Sequence, residues 1–87
     1  MPTVRFCVKG SVQGVGYRAF VQMSASLGGL TGEVWNSPDG SVRGIASGDG
    51  TDDFVEALWK GPGQVDAVTQ EPAPEQHFSG FSIVAAR

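Results

Sequence analysis

The chain has 87 residues, 40% hydrophobic and 17% charged, with a formal net charge of −3 and one cysteine. This length bounds it to one small domain over residues 1–87, which buries little more than ~60% of the surface that its unfolded chain exposes. A single cysteine excludes an internal disulfide, the acidic balance argues against nucleic acid as a partner, and no stretch has the length of a membrane span.

The charge is unevenly spread. Residues 1–43 set Arg5, Lys9, Arg18 and Arg43 against Glu33 and Asp39, a balance of +2, and residues 44–87 carry −5. Met1 to Gly10 holds no apolar run of signal-peptide length. A cytoplasmic protein, acting as a monomer and without a membrane partner, is the expectation.

Val4, Phe6 and Val8 alternate with Arg5, Cys7 and Lys9, the period-2 pattern of a half-buried strand with Cys7 on its open side. The chain then runs through Val8-Lys9-Gly10-Ser11-Val12-Gln13-Gly14-Val15-Gly16-Tyr17-Arg18, three glycines among apolar residues, into a predicted helix. Backbone N–H groups that glycine frees to converge, a helix N-terminus and one guanidinium together make a cradle for a small oxyanion. Phe20, Met23 and Leu27 fall on one helical face, the expected core side, and Gly28-Gly29 end the helix. No Ser, Thr, Asp or Asn stands just before Ala19 to cap it, so loop backbone or a bound anion must do so.

Leu30 to Asn36 reads as a second strand, with Leu30, Gly32, Val34 and Asn36 on one face and Thr31, Glu33 and Trp35 on the other. Ser37-Pro38-Asp39-Gly40 is a turn, and Ser41 to Ser47 completes an antiparallel hairpin. Thr51 is the expected cap of a second helix, with Asp52 and Asp53 in its first turn and Phe54, Ala57 and Leu58 on its apolar face. Gly61-Pro62-Gly63 stops that helix, and Met23 and Trp59 are read as packing residues. Val65 to Thr69 and Phe78 to Val84 are the last extended segments, joined through Pro72-Ala73-Pro74. The order predicts an α+β, ferredoxin-like split β-α-β sandwich: an antiparallel sheet of four to five strands with two helices on one face.

The glycine string, followed by Gly32-Glu33-Val34-Trp35-Asn36 and Asp39-Gly40, resembles the acylphosphatase family, whose loop runs G-x-V-Q-G-V-G-[FY]-R and whose second motif is G-x-V-x-N-x-x-D-G. The resemblance covers the whole chain, including the Gly61-Pro62 helix stop and the Phe81-x-Ile83 terminal strand. It implies that Arg18 binds phosphate, that the backbone amides of Val12, Gln13, Gly14, Val15, Gly16 and Tyr17 form the cradle, and that Asn36 holds the attacking water. The implied reaction is hydrolysis of a carboxylic-phosphoric anhydride to carboxylate and phosphate, with a small acyl phosphate or inorganic phosphate as ligand, and with no metal, cofactor or phosphoenzyme.

The residue inventory suits that chemistry. A carboxylate leaving group, with a conjugate acid of pKa about 4, departs without protonation, and no His, Cys, Asp or Glu lies between Val8 and Phe20 to supply a proton. Gln13, Val15 and Tyr17 are expected to shape and shield the loop through their side chains. His77 reads as a surface residue and Cys7 as a strand residue, and one of each makes no metal-ligand set. Blander roles exist for Arg18, as a solvated arginine at a helix start, and for Asn36, as a turn initiator. There are three departures from the usual family pattern: Glu33 and Trp35 where Trp and Arg are frequent, Ser11 where a basic residue is frequent, and the ending Ala85-Ala86-Arg87. Glu33 and Trp35 are expected to make the surroundings of Asn36 less positive. The alternative reading is a non-catalytic phosphate-binding or interaction module on the same fold.

Overall fold

The computed structural model describes residues 1–87. Its elements follow in the order β1 (Thr3–Ser11), α1 (Tyr17–Leu27), β2 (Thr31–Asn36), β3 (Val42–Ser47), α2 (Thr51–Leu58), β4 (Gln64–Pro72) and β5 (Phe81–Ile83). The five strands form one sheet in the order β4-β1-β3-β2-β5. β1 pairs with β3 and β4, and β2 with β3, all antiparallel, whereas β5 adds to the free edge of β2 in parallel. The expected β-α-β-β-α-β arrangement with an added terminal strand is therefore present, in a mixed sheet. β1 and β4 run longer than the alternation suggested, and a register shift between Lys9 and Gly10 marks where β1 begins to leave the ladder for the glycine loop.

Strand alternation sorts the sheet into two faces. One side carries Phe6 and Val8 of β1, Val34 of β2, Val42 and Ala46 of β3 and Phe81 of β5, all buried. α1 covers β2 and β5, and α2 covers β1 and β4. Between these layers Phe6 meets Phe54 of α2 edge to face, with ring centroids 5.3 Å apart, the arrangement that aromatic quadrupoles favour. Each fully buried Val, Leu or Phe contributes about 1.5–3 kcal/mol relative to exposure, so this single core holds the layers together.

Helix register differs from the sequence expectation. The inward face of α1 is Tyr17, Val21 and Ala25, while Met23 is 55% and Leu27 83% exposed. The reason is Tyr17, which starts the helix two residues before Ala19 and is 1% exposed, its hydroxyl donating to the Leu58 carbonyl at 2.6 Å. That anchor fixes the rotation of α1, and Val21 and Ala25 follow at i+4 and i+8. Trp59, also expected to pack, is 48% exposed. Thr51 is not the cap of α2: Gly50 holds that position, no side chain caps it, and Thr51 is the buried first residue of the helix.

The opposite face of the sheet has no helix on it. Arg5, Cys7, Lys9, Trp35 and Arg43 line an open groove of about 420 Å³ there. Arg87 lies over the Trp35 ring, 4.6 Å from its centroid, and pairs with Glu33 at 3.5 Å.

Candidate active site

The loop between β1 and α1 is shaped by two glycines in the left-handed region, Gly14 at φ 77° and Gly16 at φ 82°, a conformation that costs other residues about 1–2 kcal/mol. Gly16 is the N-cap of α1, and its carbonyl accepts the first helical hydrogen bond, from the Phe20 amide at 3.2 Å. No side chain caps the helix. None of the amides of Val12, Gln13, Gly14, Val15, Gly16 and Tyr17 donates a hydrogen bond within the protein. A row of free N–H groups therefore stands at the positive end of an eleven-residue helix, where helix dipole and amide donors both favour an anion.

Arg18 follows directly. Its side chain takes part in none of the ion pairs or side-chain hydrogen bonds of the protein, so its guanidinium is uncommitted. Its side chain lines a cavity of about 170 Å³ together with Val12, Gly14, Gly16, Tyr17, Ala19 and Ile83. Arg18 is the only charged residue among them, and no carboxylate, imidazole or thiol reaches this cavity.

The loop is held by Gln13, whose Nε2 donates to the carbonyls of Ser37 at 2.8 Å and Ser41 at 3.0 Å. These two carbonyls flank the turn that follows Asn36, so the side chain expected to shape the loop fastens it to the end of β2. Asn36 is half-buried, and its Oδ1 is enclosed without any hydrogen-bond partner. A buried polar atom left unpaired costs about 1–3 kcal/mol. Asn36 does not itself line the 170 Å³ cavity. Its strand reaches the cavity through β5, because Ile83 pairs in register with Val34, two residues before Asn36 on the same face.

The turn below Asn36 is rigid. Asp39 accepts from the Ser41 hydroxyl and amide and from Arg43, and these bonds hold its carboxyl well below the usual carboxylate range. The Asp39 carboxylate in turn raises the pKa of Arg43. Burial pushes the Tyr17 phenol up.

The acylphosphatase family model matches residues 4–83. The chain belongs to the acylphosphatase family. Membership makes it a hydrolase. An acylphosphatase of Caldivirga maquilingensis is 44% identical over 86 residues, covering 92% of this chain and 90% of that relative. One from Thermus thermophilus is 41% identical over 87 residues, covering 95% and 99%. The crystal structure of acylphosphatase from Bacillus subtilis superposes with a TM-score of 0.91 at 38% identity, over 97% of this chain and 99% of that one.

Against the acylphosphatase pattern, two of the departures in sequence sit away from the loop. Glu33 and Trp35 alternate with Val34 and Asn36, and Trp35 lines the groove on the helix-free face. The expectation that they make the surroundings of Asn36 less positive is therefore corrected: their side chains lie on the other side of the sheet. The unusual ending reaches back to the same strand, where the Arg87 amide donates to the Asn36 carbonyl at 3.0 Å. Ile83 went unnoticed as a cavity residue in the sequence. The signal was its i+2 relation to Phe81, which puts both on the helix side of β5.

Proposed function

We propose that this chain hydrolyses the carboxyl-phosphate anhydride of acyl phosphates, releasing carboxylate and inorganic phosphate. The observation that carries the reading is the set of uncommitted donors at one helix N-terminus: the Val12 to Tyr17 amides and the unpaired Arg18. In this reading the amides and the guanidinium bind the terminal phosphoryl oxygens and stabilise them as charge grows in the transition state.

Asn36 is assigned the water. A carboxamide can accept from a water proton and donate to its oxygen, and Asn36 ends the strand to which Gln13 fastens the glycine loop. Water oxygen bonds to phosphorus in line as the bond from phosphorus to the carboxylate oxygen breaks. The leaving electron pair stays on the carboxylate, and both protons of the water end on the phosphate product, which leaves as dihydrogen phosphate and then equilibrates with solvent. With a leaving group whose conjugate acid has pKa about 4, no general acid is needed. The same inventory makes phosphate monoesters poor substrates, since their alkoxide leaving groups require a proton that no side chain in the cavity can give. The reaction as drawn needs no metal, and no three His, Cys, Asp or Glu side chains are grouped to hold one.

Steady-state hydrolysis of acetyl phosphate in the presence of a chelator, beside an aryl phosphate monoester and with Arg18→Gln as control, tests the proposal. Turnover of the anhydride alone, lost in the variant, is the expected result. Metal dependence or equal turnover of the monoester would contradict it, and phosphate binding without turnover would make the chain a binding module.

A further inference from the structure

Ile83 is an apolar side chain left partly open to solvent on the helix side of the sheet. β5 alternates, so Phe81 and Ile83 point to the helix side of the sheet. Phe81 is 7% exposed and belongs to the core, whereas Ile83 is 40% exposed and forms a wall of the cavity that Arg18 also lines. Its strand is the outer edge of the sheet, paired with β2 alone. Apart from Arg18, the side chains around that cavity come from Val12, Tyr17, Ala19 and Ile83. The Tyr17 hydroxyl is turned away into the core, where it is bonded to Leu58. Beyond the guanidinium, then, no side chain there offers a hydrogen bond to a substrate.

We infer that the acyl end of the substrate rests against Ile83, and that the site takes acyl phosphates with apolar acyl groups ahead of those bearing charged groups. This rests on the hydrolytic reading above. Donors for the phosphoryl group are concentrated in the loop amides and Arg18, so the acyl group must extend from them along the remaining wall. An apolar acyl group gains contact area on Ile83 at no desolvation cost. A charged acyl group would lose hydration beside the isoleucine without meeting a compensating partner. The carboxyl leaving groups of such substrates have similar basicity, with pKa values near about 4, so differences between them report contacts more than bond reactivity.

The test compares kcat/KM for acetyl, benzoyl and β-aspartyl phosphate in the wild type, Ile83→Val, Ile83→Ala and, as a distant control, Leu27→Ala. Benzoyl phosphate is expected to lead β-aspartyl phosphate by roughly tenfold or more, in the range that apolar pockets deliver. Ile83→Ala should shrink the benzoyl-to-acetyl ratio several-fold, Ile83→Val by less, and Leu27→Ala not at all. An exposed edge position tolerates these changes without unfolding, and circular dichroism checks that. A ratio unmoved by Ile83→Ala, or β-aspartyl phosphate matching benzoyl phosphate in the wild type, overturns the inference while leaving hydrolysis intact. No turnover of any of the three by the wild type overturns the hydrolytic reading, and this inference with it.

Discussion

Gln13 donates from Nε2 to the Ser37 carbonyl at 2.8 Å, a bond that joins the crest of the glycine loop to the residue after Asn36. Together with the second bond, to Ser41, it makes the loop and the end of β2 one unit. Gln13→Ala removes both bonds but leaves the Gln13 amide in the cradle. Net loss of a hydrogen bond costs about 1 kcal/mol, so stability should fall only slightly. Positioning is more sensitive, since displacement of reacting groups by about 1 Å can cost 100-fold in rate. A drop of roughly tenfold or more in kcat/KM for acetyl phosphate, with a shift in melting temperature of only a few degrees, is the expected outcome.

Arg18 and Asn36 should separate binding from chemistry. Arg18→Gln is expected to lower kcat/KM by ~100-fold or more, as loss of a preorganised transition-state donor does. Arg18→Lys should recover little, because an ammonium lacks the planar fork. Asn36→Ala should lower kcat while competitive inhibition by inorganic phosphate keeps its strength. Equal loss of phosphate affinity would make Asn36 a structural residue of the loop instead.

Two glycines should fail for different reasons. At Gly14 an added Cβ meets nothing within 4 Å, so the only penalty is the φ of 77°. Gly14→Asn should therefore be tolerated better than Gly14→Val, since Asn enters the left-handed region more readily. Gly44 has no such conformation, but a Cβ there would run into the Phe6 ring and the Glu33 carbonyl. Gly44→Ala should lower stability by about 1–3 kcal/mol through overpacking, with KM little changed, whereas Gly14→Val should raise KM and the inhibition constant of phosphate. Thermal melts beside inhibition kinetics distinguish the two.

The order of the elements along the chain, the hairpin and the glycine loop were readable because each is written in local chemistry: alternation, turn residues, and glycine where φ must be positive. The rotation of α1 was not. Helical spacing grouped Phe20, Met23 and Leu27, yet only Phe20 packs against the core, while Met23 and Leu27 are exposed. What decides is the long-range bond from Tyr17 to Leu58, across 41 residues, which no local period reports. Thr51 is a good cap by residue type, but Gly50 reaches that position first. The reach of Arg87 to the Asn36 carbonyl and the Glu33 carboxylate likewise depends on β5 adding in parallel to β2. The free amides were expected from glycine content, but the unpartnered Asn36 oxygen and the exposed Ile83 needed the assembled sheet.

Glu33 tests the sorting of faces. Its partner Arg87 is 55% exposed at the side chain, and such pairs contribute about 0–1 kcal/mol. Because Glu33 alternates away from Asn36, Glu33→Gln should leave kcat and KM for acetyl phosphate within about twofold of wild type. A rise in kcat/KM well beyond that would mean that the carboxylate acts on the phosphate site through space, which the geometry of β2 argues against.

Tyr17 should set an alkaline limit on stability. Its phenol is buried and hydrogen-bonded to the Leu58 carbonyl, and burial raises its pKa above the ordinary value of 10.0. A raised pKa means that the folded protein keeps its proton where the unfolded chain loses it. The contribution of Tyr17 to stability is thus fully present below pH about 10 and declines as pH rises beyond that, by about 1.4 kcal/mol per unit while only the unfolded state titrates. Tyr17→Phe removes the titration and leaves the Leu58 carbonyl with only a long 3.5 Å bond from the Gly61 amide. The variant should be less stable at pH 7 by about 1–2 kcal/mol, yet its urea midpoint should fall less steeply than that of the wild type between pH 9.5 and 11 in roughly the range where a free phenol ionises. Parallel midpoint curves over that interval would show that Tyr17 does not govern the alkaline limb.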